Sequence, residues 1–476
     1  MKENIKGITV KKSEDFSEWY TQVIQKAELA DYSDVKGFMV IRPNGYSIWE
    51  NIQKNFDKAI KNLNVRNAYF PLLIPESFFK KELEHAQGFS PEVAWLERSN
   101  DESERLAIRP TSETIMYDSY SKWIRSWRDL PLRINQWCNI VRWETKTTRL
   151  FLRTREFLWQ EGHCVYETRD ECDKETLIYL NEYKRFCEEF LAIYVLEGKK
   201  TETEKFAGAY YTSSIEALMP DGKALQMATS HNLGQEFAKS FKIRYIGRDE
   251  KEYHPWQNSW GLSTRTIGAL VMIHGDDKGL VLPPNIAENK VVIVPIIFKD
   301  RKEKVLSSTK KIEKELKKFN PILDDRESYS PGWKFSEWEL KGIPIRIEIG
   351  PKDIEKKQVT VIRRDTSEKL YLKQNELSKK ISIILKEIQS NLYNKSRDFT
   401  LRNIVEAKSL EELKRIINNK KIALASLCNS KKCEEVIKDK TGAKTLNIPF
   451  EQPENQGNCI SCGKKSSYLV RIAKSY

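Results

Sequence analysis

The residues of this 476-residue chain that are best suited to chemistry lie along two neighbouring apolar runs. Arg142 and Glu144 follow the first run, and Trp159, Glu161 and His163 alternate along the second. Side chains two positions apart on a strand share one face, so an aromatic ring, a carboxylate and an imidazole would line a common surface. Burying such polar groups without partners costs on the order of several kcal/mol. The pattern therefore favours a binding site over a solvated strand face, which stays an alternative.

A second polar group lies between Arg109 and Thr114. Thr111 and Glu113 are two residues apart, so a hydroxyl and a carboxylate could both accept hydrogen bonds from one cationic amine. The alternative is that Thr111 begins a helix as its N-cap. Residue types alone favour the N-cap.

The third segment, Gly261 to Gly268, places small residues before an apolar helical run, with Arg265 near its start. An arginine in this position can bind a phosphate through paired hydrogen bonds. It could equally form a surface ion pair, and the segment alone does not separate these two interpretations.

Several common catalytic motifs are missing from the sequence. There is no G-x-x-x-x-G-K-[ST] phosphate loop, no H-E-x-x-H metal motif and no G-x-S-x-G nucleophile motif. The chain has five histidines, which leaves few members for a histidine metal cage or a catalytic triad. The chemistry must rest on other groups.

Four of the eight cysteines are crowded into the last 50 residues, as a C-x4-C pair followed by a C-x2-C pair: Cys428, Cys433, Cys459 and Cys462. Four thiolates from two such turns suit tetrahedral zinc in a closed, structural site, and we favour this over free thiols. The remaining four lack such spacing and are expected to be packing residues: Cys138, Cys164, Cys172 and Cys187.

The formal net charge is +13, from 81 basic and 68 acidic side chains. An excess of this size favours a polyanionic partner, with nucleic acid as the first candidate. The first residues lack the apolar segment of an export signal. The longest apolar run, 291–298, is far shorter than the roughly 20 residues that span a bilayer. We therefore expect a cytoplasmic protein without a membrane span.

Apolar spacing predicts the elements that hold these groups. A helix is expected before Tyr69, and residues 69–74 are expected to form a strand that ends at Pro75. Residues 132–143 and 157–165 should form a hairpin with a charged loop.

After Pro284, residues 291–297 predict a buried strand that opens a compact α/β unit with a last helix over 377–392. The polar stretch 390–400 is expected to separate a final, cysteine-bearing unit. Three units agree with roughly 150 residues per domain.

Three segments in this order resemble motifs 1, 2 and 3 of class II aminoacyl-tRNA synthetases: Tyr69-Phe70-Pro71-Leu72-Leu73, Arg142-Trp143-Glu144 and Gly261 to Gly268. Further segments, across nearly the whole chain, are similar to prolyl-tRNA synthetases of the archaeal and eukaryotic-like type: Arg109 to Glu113, Trp159-Gln160-Glu161-Gly162-His163, Lys205-Phe206-Ala207-Gly208, Ala228-Thr229-Ser230-His231 and Asn258-Ser259-Trp260-Gly261. The sequence departs from the family at Ala209 and Met227, where relatives usually have smaller residues.

The resemblance implies an α+β catalytic domain over residues 1–286, with an antiparallel sheet and flanking helices of the class II type. It implies an α/β anticodon-binding domain over 287–395 and a small zinc-binding α+β C-terminal domain over 396–476. A homodimer is expected by analogy, because motif 1 usually lies at the subunit interface. Relatives also end in a tyrosine that folds back towards the active site, as Tyr476 would here.

By the same resemblance, the chain would use ATP and Mg²⁺ to activate L-proline as prolyl-adenylate and would transfer the prolyl group to the 3′ end of tRNA(Pro). Arg142 and Arg265 would be catalytic and would bind the α- and γ-phosphates of ATP. Further ATP contacts would come from Glu144, Arg153, Thr154, Gln226 and Thr229. The proline pocket would consist of Thr111, Glu113, Arg142, Trp159, Glu161, His163, Phe206, His231 and Ser263.

In the anticodon-binding domain, Glu348 and Lys352 would read bases, although a strand and turn with solvated charges explains them nearly as well. Structural Zn²⁺ would bind the four C-terminal cysteines. Fewer than 100 residues separate His163 from Gly261, too few for the editing insertion of bacterial-type relatives, so no cis editing is expected.

Two rival functions differ from this interpretation. A synthetase for threonine or serine is the nearest, but three metal ligands at the catalytic pocket, which a threonyl enzyme would need, are not evident. A tRNA-binding paralogue without catalysis is the other. A pure binder would tolerate loss of the phosphate-binding arginines, so the presence of Glu113, Arg142 and Arg265 argues against it.

Overall fold

The computed structural model describes residues 7–83, 93–97, 104–143, 147–454 and 456–476. The first unit contains the helices α1 (Phe16–Lys26), α2 (Pro43–Lys61), α3 (Glu76–Leu83), α4 (Glu113–Trp123), α5 (Arg169–Glu189), α6 (Glu236–Ser240) and α7 (Arg265–His274). Its strands are β1 (Ala30–Tyr32), β2 (Met39–Ile41), β3 (Arg66–Asn67), β4 (Leu73–Pro75), β5 (Leu106–Ile108), β6 (Leu132–Val141), β7 (Glu156–Tyr166), β8 (Leu196–Lys199), β9 (Tyr211–Leu218), β10 (Lys223–Gly234), β11 (Tyr245–Ile246), β12 (Glu252–Tyr253) and β13 (Trp256–Ser263).

One large sheet organises this unit, in the order β8-β9-β10-β13-β7-β6-β3. Its pairs are antiparallel except β3 with β6. Helix α5 packs on β9, β10 and β13, and apolar side chains from α1, α2, α5 and α7 fill the space between helices and sheet. The predicted helix before Tyr69 is confirmed as α2, and the predicted hairpin is confirmed as β6 and β7.

The predicted strand over residues 69–74 is wrong in its bounds, because strand β4 begins only at Leu73 and includes Pro75. The backbone before Leu73 is held by hydrogen bonds to side chains instead of by pairing with a neighbouring strand. The Phe70 N–H donates to the side-chain oxygen of Gln136, and the Phe70 carbonyl accepts from Nη1 of the buried Arg109 at 2.7 Å. A segment whose polar groups already have partners has no need of strand pairing.

The second unit contains β14 (Val291–Pro295), α8 (Lys302–Glu315), β15 (Ile322–Leu323), α9 (Pro331–Leu340), β16 (Ile345–Ile349), α10 (Pro351–Glu355), β17 (Gln358–Arg363), β18 (Lys369–Lys373) and α11 (Leu377–Arg402). Its sheet has the order β15-β14-β16-β17-β18 and mixes parallel with antiparallel pairs. The polar stretch 390–400 is helical and forms the second half of α11. It still lies between the second unit and the third, and Leu392 in this half keeps one face of the helix buried.

The third unit contains β19 (Ile404–Ala407), α12 (Leu410–Asn418), β20 (Ile422–Leu427), α13 (Lys431–Thr441), β21 (Lys444–Thr445) and β22 (Tyr468–Ser475). Strand β22 pairs with β20 and β21 and also runs parallel to the start of β10. Tyr476 then donates its N–H to the Ala224 carbonyl at 3.1 Å and its hydroxyl to Asp221 at 2.7 Å. The last residue is therefore docked on the first unit. Among the helices of the described residues, none is long and apolar enough to cross a membrane.

Candidate active site

A cleft of about 270 Å³ opens on the large sheet. Twelve predicted site residues line it: Thr111, Glu113, Arg142, Trp159, Glu161, His163, Phe206, Gln226, Thr229, His231, Ser263 and Arg265. Two of the other predicted residues, Arg153 and Thr154, are not on its lining, and a third falls on a residue that the structure does not describe. Arg153 lies outside the cleft near Arg265, the Thr154 hydroxyl donates to the Glu156 carbonyl at 2.7 Å, and Glu144 lies outside the described residues.

Strand β7 supplies one wall by the alternation that the sequence predicts. Trp159, Glu161 and His163 face the cleft, while Gly162 between them faces the indole of Trp260. A Cβ at Gly162 would lie 2.0 Å from that ring, well inside van der Waals contact. The glycine therefore leaves room for the Trp260 indole, which packs against β7 at this position.

The start of helix α4 also contributes to the cleft lining, through Thr111 and Glu113. Its N-cap is Ser112, which makes no side-chain capping hydrogen bond, so the interpretation of Thr111 as the N-cap is wrong. The Thr111 hydroxyl instead donates to Glu113, and both residues are buried and line the cleft. A hydroxyl and a carboxylate thus converge where a cationic amine can bind.

Glu161 and His163 form a buried pair, with 2% and 1% of their surfaces exposed. Glu161 accepts from His163 Nε2 at 3.1 Å, from Gln136 Nε2 at 3.1 Å and from the Ser112 hydroxyl. Burial opposes ionisation of Glu161, but these hydrogen bonds lower its pKa below the usual range. Burial also opposes protonation of His163, yet the hydrogen bond to Glu161 and the nearby carboxylates raise its pKa. Each member of the pair therefore favours the charged form of the other.

This pair predicts a pH dependence of stability. The contribution of His163 is complete below its unfolded pKa of 6.5 and is lost as the pH rises through its raised folded pKa. The contribution of Glu161 is present above 4.5 and is lost as the pH falls through its lowered folded pKa. Glu161→Gln should cost about 2 kcal/mol near neutral pH, because a charge-assisted hydrogen bond is lost, and should reduce the alkaline decline that His163 causes, because only Glu113 then still raises the His163 pKa. Urea unfolding across a pH series checks this. Glu236→Gln, at an exposed site, is the control, and parallel pH profiles for wild type and Glu161→Gln would contradict the prediction.

The cleft lining also contains two arginines, Arg142 and Arg265. Arg142 donates Nε to the Pro110 carbonyl at 3.0 Å, and its guanidinium lies 5.6 Å from the Trp159 ring centre. Burial lowers the pKa of Arg265, Arg142 and Arg153 lower it further, and Glu216 partly offsets them. Guanidinium groups stay charged under such shifts. Positive charges held together in a partly buried cleft favour a polyanionic ligand.

His231 and Phe206 lie side by side on the cleft lining. Their ring centres are 4.9 Å apart, and His231 Nδ1 lies 2.9 Å from the Thr212 hydroxyl. Burial, and then the nearby His163 and Lys200, lower the pKa of His231 to about 3. His231 is therefore neutral at pH 7 and offers a hydrogen-bonding nitrogen without charge.

Seven lining residues were not among the predicted site residues: Phe157, Met227, Ala228, Ser259, Trp260, Gly261 and Leu262. Strand β10 has a bulge between Gln226 and Ala228, so consecutive residues reach the cleft there and simple alternation fails. The family-like segments around Ala228 and Ser259 are the signal that could have identified part of this set. Met227, predicted to alter the pocket shape, does line it, whereas Ala209 does not.

The four C-terminal cysteines form one cluster, with Sγ atoms all within 4.8 Å of one another. Cys428 Sγ lies 3.5 Å from that of Cys433 and 3.7 Å from that of Cys462. Four thiolates at Zn–S distances of about 2.3 Å require separations of about 3.8 Å, so the donor set and its spacing fit zinc. The other four cysteines are buried or half-buried in the first unit, as predicted for packing residues.

The two predicted base-reading residues differ in exposure. Glu348 is buried on β16 and paired with Arg346 at 3.0 Å, whereas Lys352 is exposed on α10. Neither lies near the cleft lining.

Comparisons with known proteins agree with this architecture. A model of the class II tRNA synthetase core domain for glycine, histidine, proline, serine and threonine matches residues 95–274. An anticodon-binding domain model matches 290–383, and a prolyl-tRNA synthetase C-terminal model matches 410–476. The "Proline--tRNA ligase" of Natranaerobius thermophilus is 52% identical over 97% of this chain and 96% of its own length. The chain belongs to the prolyl-tRNA synthetases.

Other prolyl-tRNA synthetases are similar along the whole length. The "Proline--tRNA ligase 2" of a Bacillus cereus strain is 48% identical over 100% of both chains, and the ligase of Alkaliphilus oremlandii is 52% identical over 97% of this chain and 96% of its own length. The enzyme is thus a class II proline–tRNA ligase, which activates proline with ATP and charges tRNA. The rival assignments to threonine, to serine or to a non-catalytic paralogue are set aside.

Proposed function

We propose that the cleft is the site where proline is activated, with one end for the amino acid and the other for ATP. The observation that carries this is the set of groups on one cleft lining. Thr111 and Glu113 supply hydrogen-bond acceptors, and Arg142 and Arg265 supply cations. Proline is a secondary ammonium with an apolar ring and a carboxylate, which matches this set of groups.

In the bound state, the proline ammonium would donate to Thr111 and Glu113, and the ring would lie between Trp159 and Phe206. His163, Glu161 and His231 would complete the polar rim, with Ser263 nearby. Arg142 would hold the proline carboxylate beside the α-phosphate of ATP. Aromatic walls and few polar contacts suit a small apolar substrate.

Activation needs two anions to meet. A carboxylate oxygen attacks the α-phosphorus, the bond to the β-phosphate oxygen breaks, and pyrophosphate leaves. Arg142 would stabilise charge at the α-phosphate and Arg265 at the γ-phosphate, while Gln226 and Thr229 would contact the ribose and phosphates, with Glu144, Arg153 and Thr154 around the nucleotide. In the second step, the 3′-hydroxyl of tRNA(Pro) attacks the carbonyl carbon and AMP leaves.

Class II synthetases use Mg²⁺ with ATP, and in this cleft the ion would be bound through the ATP phosphates. Among the described lining residues, the two carboxylates, Glu113 and Glu161, already bond to Thr111 and to His163. The ion would therefore be held mainly by phosphate oxygens, where it neutralises charge.

The test is amino-acid-dependent ATP–pyrophosphate exchange with each common amino acid. Proline should drive exchange strongly and alanine weakly, because an apolar pocket rejects a smaller side chain by only about 1 to 3 kcal/mol per methylene. Exchange driven better by another amino acid would overturn the assignment of the pocket.

We also propose that the enzyme lacks cis editing. Between His163 and Gly261 the chain is occupied by α5, the strands β8 to β12 and α6, which belong to the sheet and its flanks. Added alanyl-tRNA(Pro) should therefore persist with the pure enzyme, and deacylation well above background would refute this.

Further proposals concern assembly and type. Tyr69 is 71% exposed and Trp123 is 49% exposed beside motif 1, which supports a homodimer through this surface.

The lack of room for an insertion supports the archaeal and eukaryotic-like subtype, and we also propose a cytoplasmic location. We retain the domain limits 1–286, 287–395 and 396–476, although residue 395 lies within α11. The anticodon roles of Glu348 and Lys352 and structural zinc at the four cysteines complete the proposal.

A further inference from the structure

The loop between β8 and β9 carries Phe206 and is built as a turn on Thr201. The Thr201 carbonyl accepts from the N–H groups of Glu204 at 3.1 Å and Lys205 at 2.9 Å. Phe206 follows directly, and its own N–H donates to the Thr212 hydroxyl at 2.9 Å. The position of Thr201 therefore decides how the turn presents Phe206 to the cleft.

The side chain of Thr201 is held by the third unit. Its hydroxyl donates to Glu434 Oε2 at 2.9 Å, and the Thr203 hydroxyl donates to Glu434 Oε1 at 3.0 Å. The Thr445 hydroxyl, from the third unit itself, donates to Glu434 Oε2 at 2.8 Å. Thr201 is 1% exposed and Glu434 is 8% exposed. The buried carboxylate of Glu434 thus connects both Thr201 and Thr203 of the turn to helix α13.

Two further contacts join the same surfaces. Lys444 Nζ lies 2.6 Å from Glu204 Oε2, and Lys199, at the end of β8, exchanges backbone hydrogen bonds with Ile448. The strand would keep its place through Ile448 if the carboxylate were removed, while the turn beyond it would lose its buried anchor. We therefore expect the Thr201 turn to become more mobile in such a variant, while the contact between the first and third units is kept.

We propose that Glu434 is a positioning residue for the proline pocket: it holds the Thr201 turn so that Phe206 forms the wall of the cleft. This rests on the proposed role of Phe206 in binding proline. The C-terminal domain contributes to amino-acid binding in this way, although it has no residue on the cleft lining among the parts of the chain that the structure describes.

The experiment measures KM for proline and for ATP by pyrophosphate exchange with the full-length enzyme. Glu434→Ala should raise KM for proline about 10-fold, because charge-assisted hydrogen bonds that order the turn are lost. KM for ATP and kcat should change by less than about 2-fold, because the phosphate end is untouched. Glu434→Gln retains an acceptor and the shape and should largely restore KM. Glu435→Ala, on the exposed side of the same helix, is the matched control.

A second readout follows the turn itself. Trypsin can cut after Lys205, and mass spectrometry should detect faster cleavage there in Glu434→Ala than in wild type. Thr203→Val removes one hydrogen bond at an exposed position and should raise KM for proline about 3-fold. This variant keeps the proposal falsifiable if Glu434→Ala does not fold.

The variant Phe206→Ala distinguishes an error in the pocket assignment from an error in the positioning role of Glu434. If it leaves KM for proline unchanged, the pocket assignment itself is wrong. If it raises KM and Glu434→Ala or Thr203→Val does not, the positioning role is wrong. Adding Glu434→Ala to Phe206→Ala should have no further effect on KM for proline, since both act through one side chain. Equal losses for proline and ATP would mean a merely structural role and would also overturn the inference.

Discussion

Arg142→Ala should lower proline-dependent ATP–pyrophosphate exchange by about 10³-fold, because it removes a preorganised cation from the place where charge develops at the α-phosphate. Arg142 lies on the cleft lining next to Trp159, and its Nε is held by the Pro110 carbonyl. The guanidinium is thus aimed before substrates bind. The loss should appear mainly in kcat, since the contact strengthens in the transition state.

Arg142→Lys refines this expectation. Lysine keeps the charge but lacks the planar pair of donors that can contact a carboxylate and a phosphate together. It should recover only part of the lost rate. Arg128→Ala is the control, because Arg128 is an exposed arginine stacked on Trp127 away from the cleft. Near-normal exchange in folded Arg142→Ala protein would contradict the proposed role, and a melting curve verifies that the variant is folded.

Cys459→Ser should remove bound zinc and lower the melting temperature of the C-terminal domain by about 10 °C or more, since the site exists only in the folded chain and the free energy of metal binding adds to that of folding. Cys459 is 2% exposed and lies within the packed core of that domain. Loss of one of four thiolates leaves three ligands around an open position. Metal analysis should give one zinc per wild-type chain and far less in the variant.

The control for this prediction is Cys172→Ala. Cys172 is buried beneath β13, where its Sγ donates to the Gln257 carbonyl at 3.2 Å, and the variant should retain full zinc while losing some packing energy. Removal of zinc by a chelator should reproduce the melting shift of Cys459→Ser. A wild-type protein without zinc, yet as stable as before chelation, would contradict a structural metal site.

Much of the site could be predicted because it depends on short-range periodicity. Trp159, Glu161 and His163 share a face because strand side chains alternate, and the structure places all three on the cleft. Arg265 begins helix α7 because small residues precede its apolar run. The cysteine spacing likewise limits the four Sγ atoms to two turns, and they meet within 4.8 Å.

Other features depend on which distant segments meet, and spacing along the chain does not encode this. The bulge in β10 brings Met227 and Ala228 to the cleft because the register with β9 shifts there. Thr111 faces Glu113 instead of capping α4. Its role was ambiguous because a hydroxyl at a helix start satisfies local rules equally well in both positions.

The sequence by itself determined the family, the polar face of β7, the arginine at the start of α7 and the two cysteine pairs, since motifs and periodicity act within a few residues. Only the tertiary structure decided the partners of the buried charges. Gln136 and Ser112 reach Glu161 from neighbouring elements, and Glu434 reaches Thr201 across 233 positions. Buried polar groups must find partners to offset their desolvation, and the packing of distant elements decides which partners are within reach.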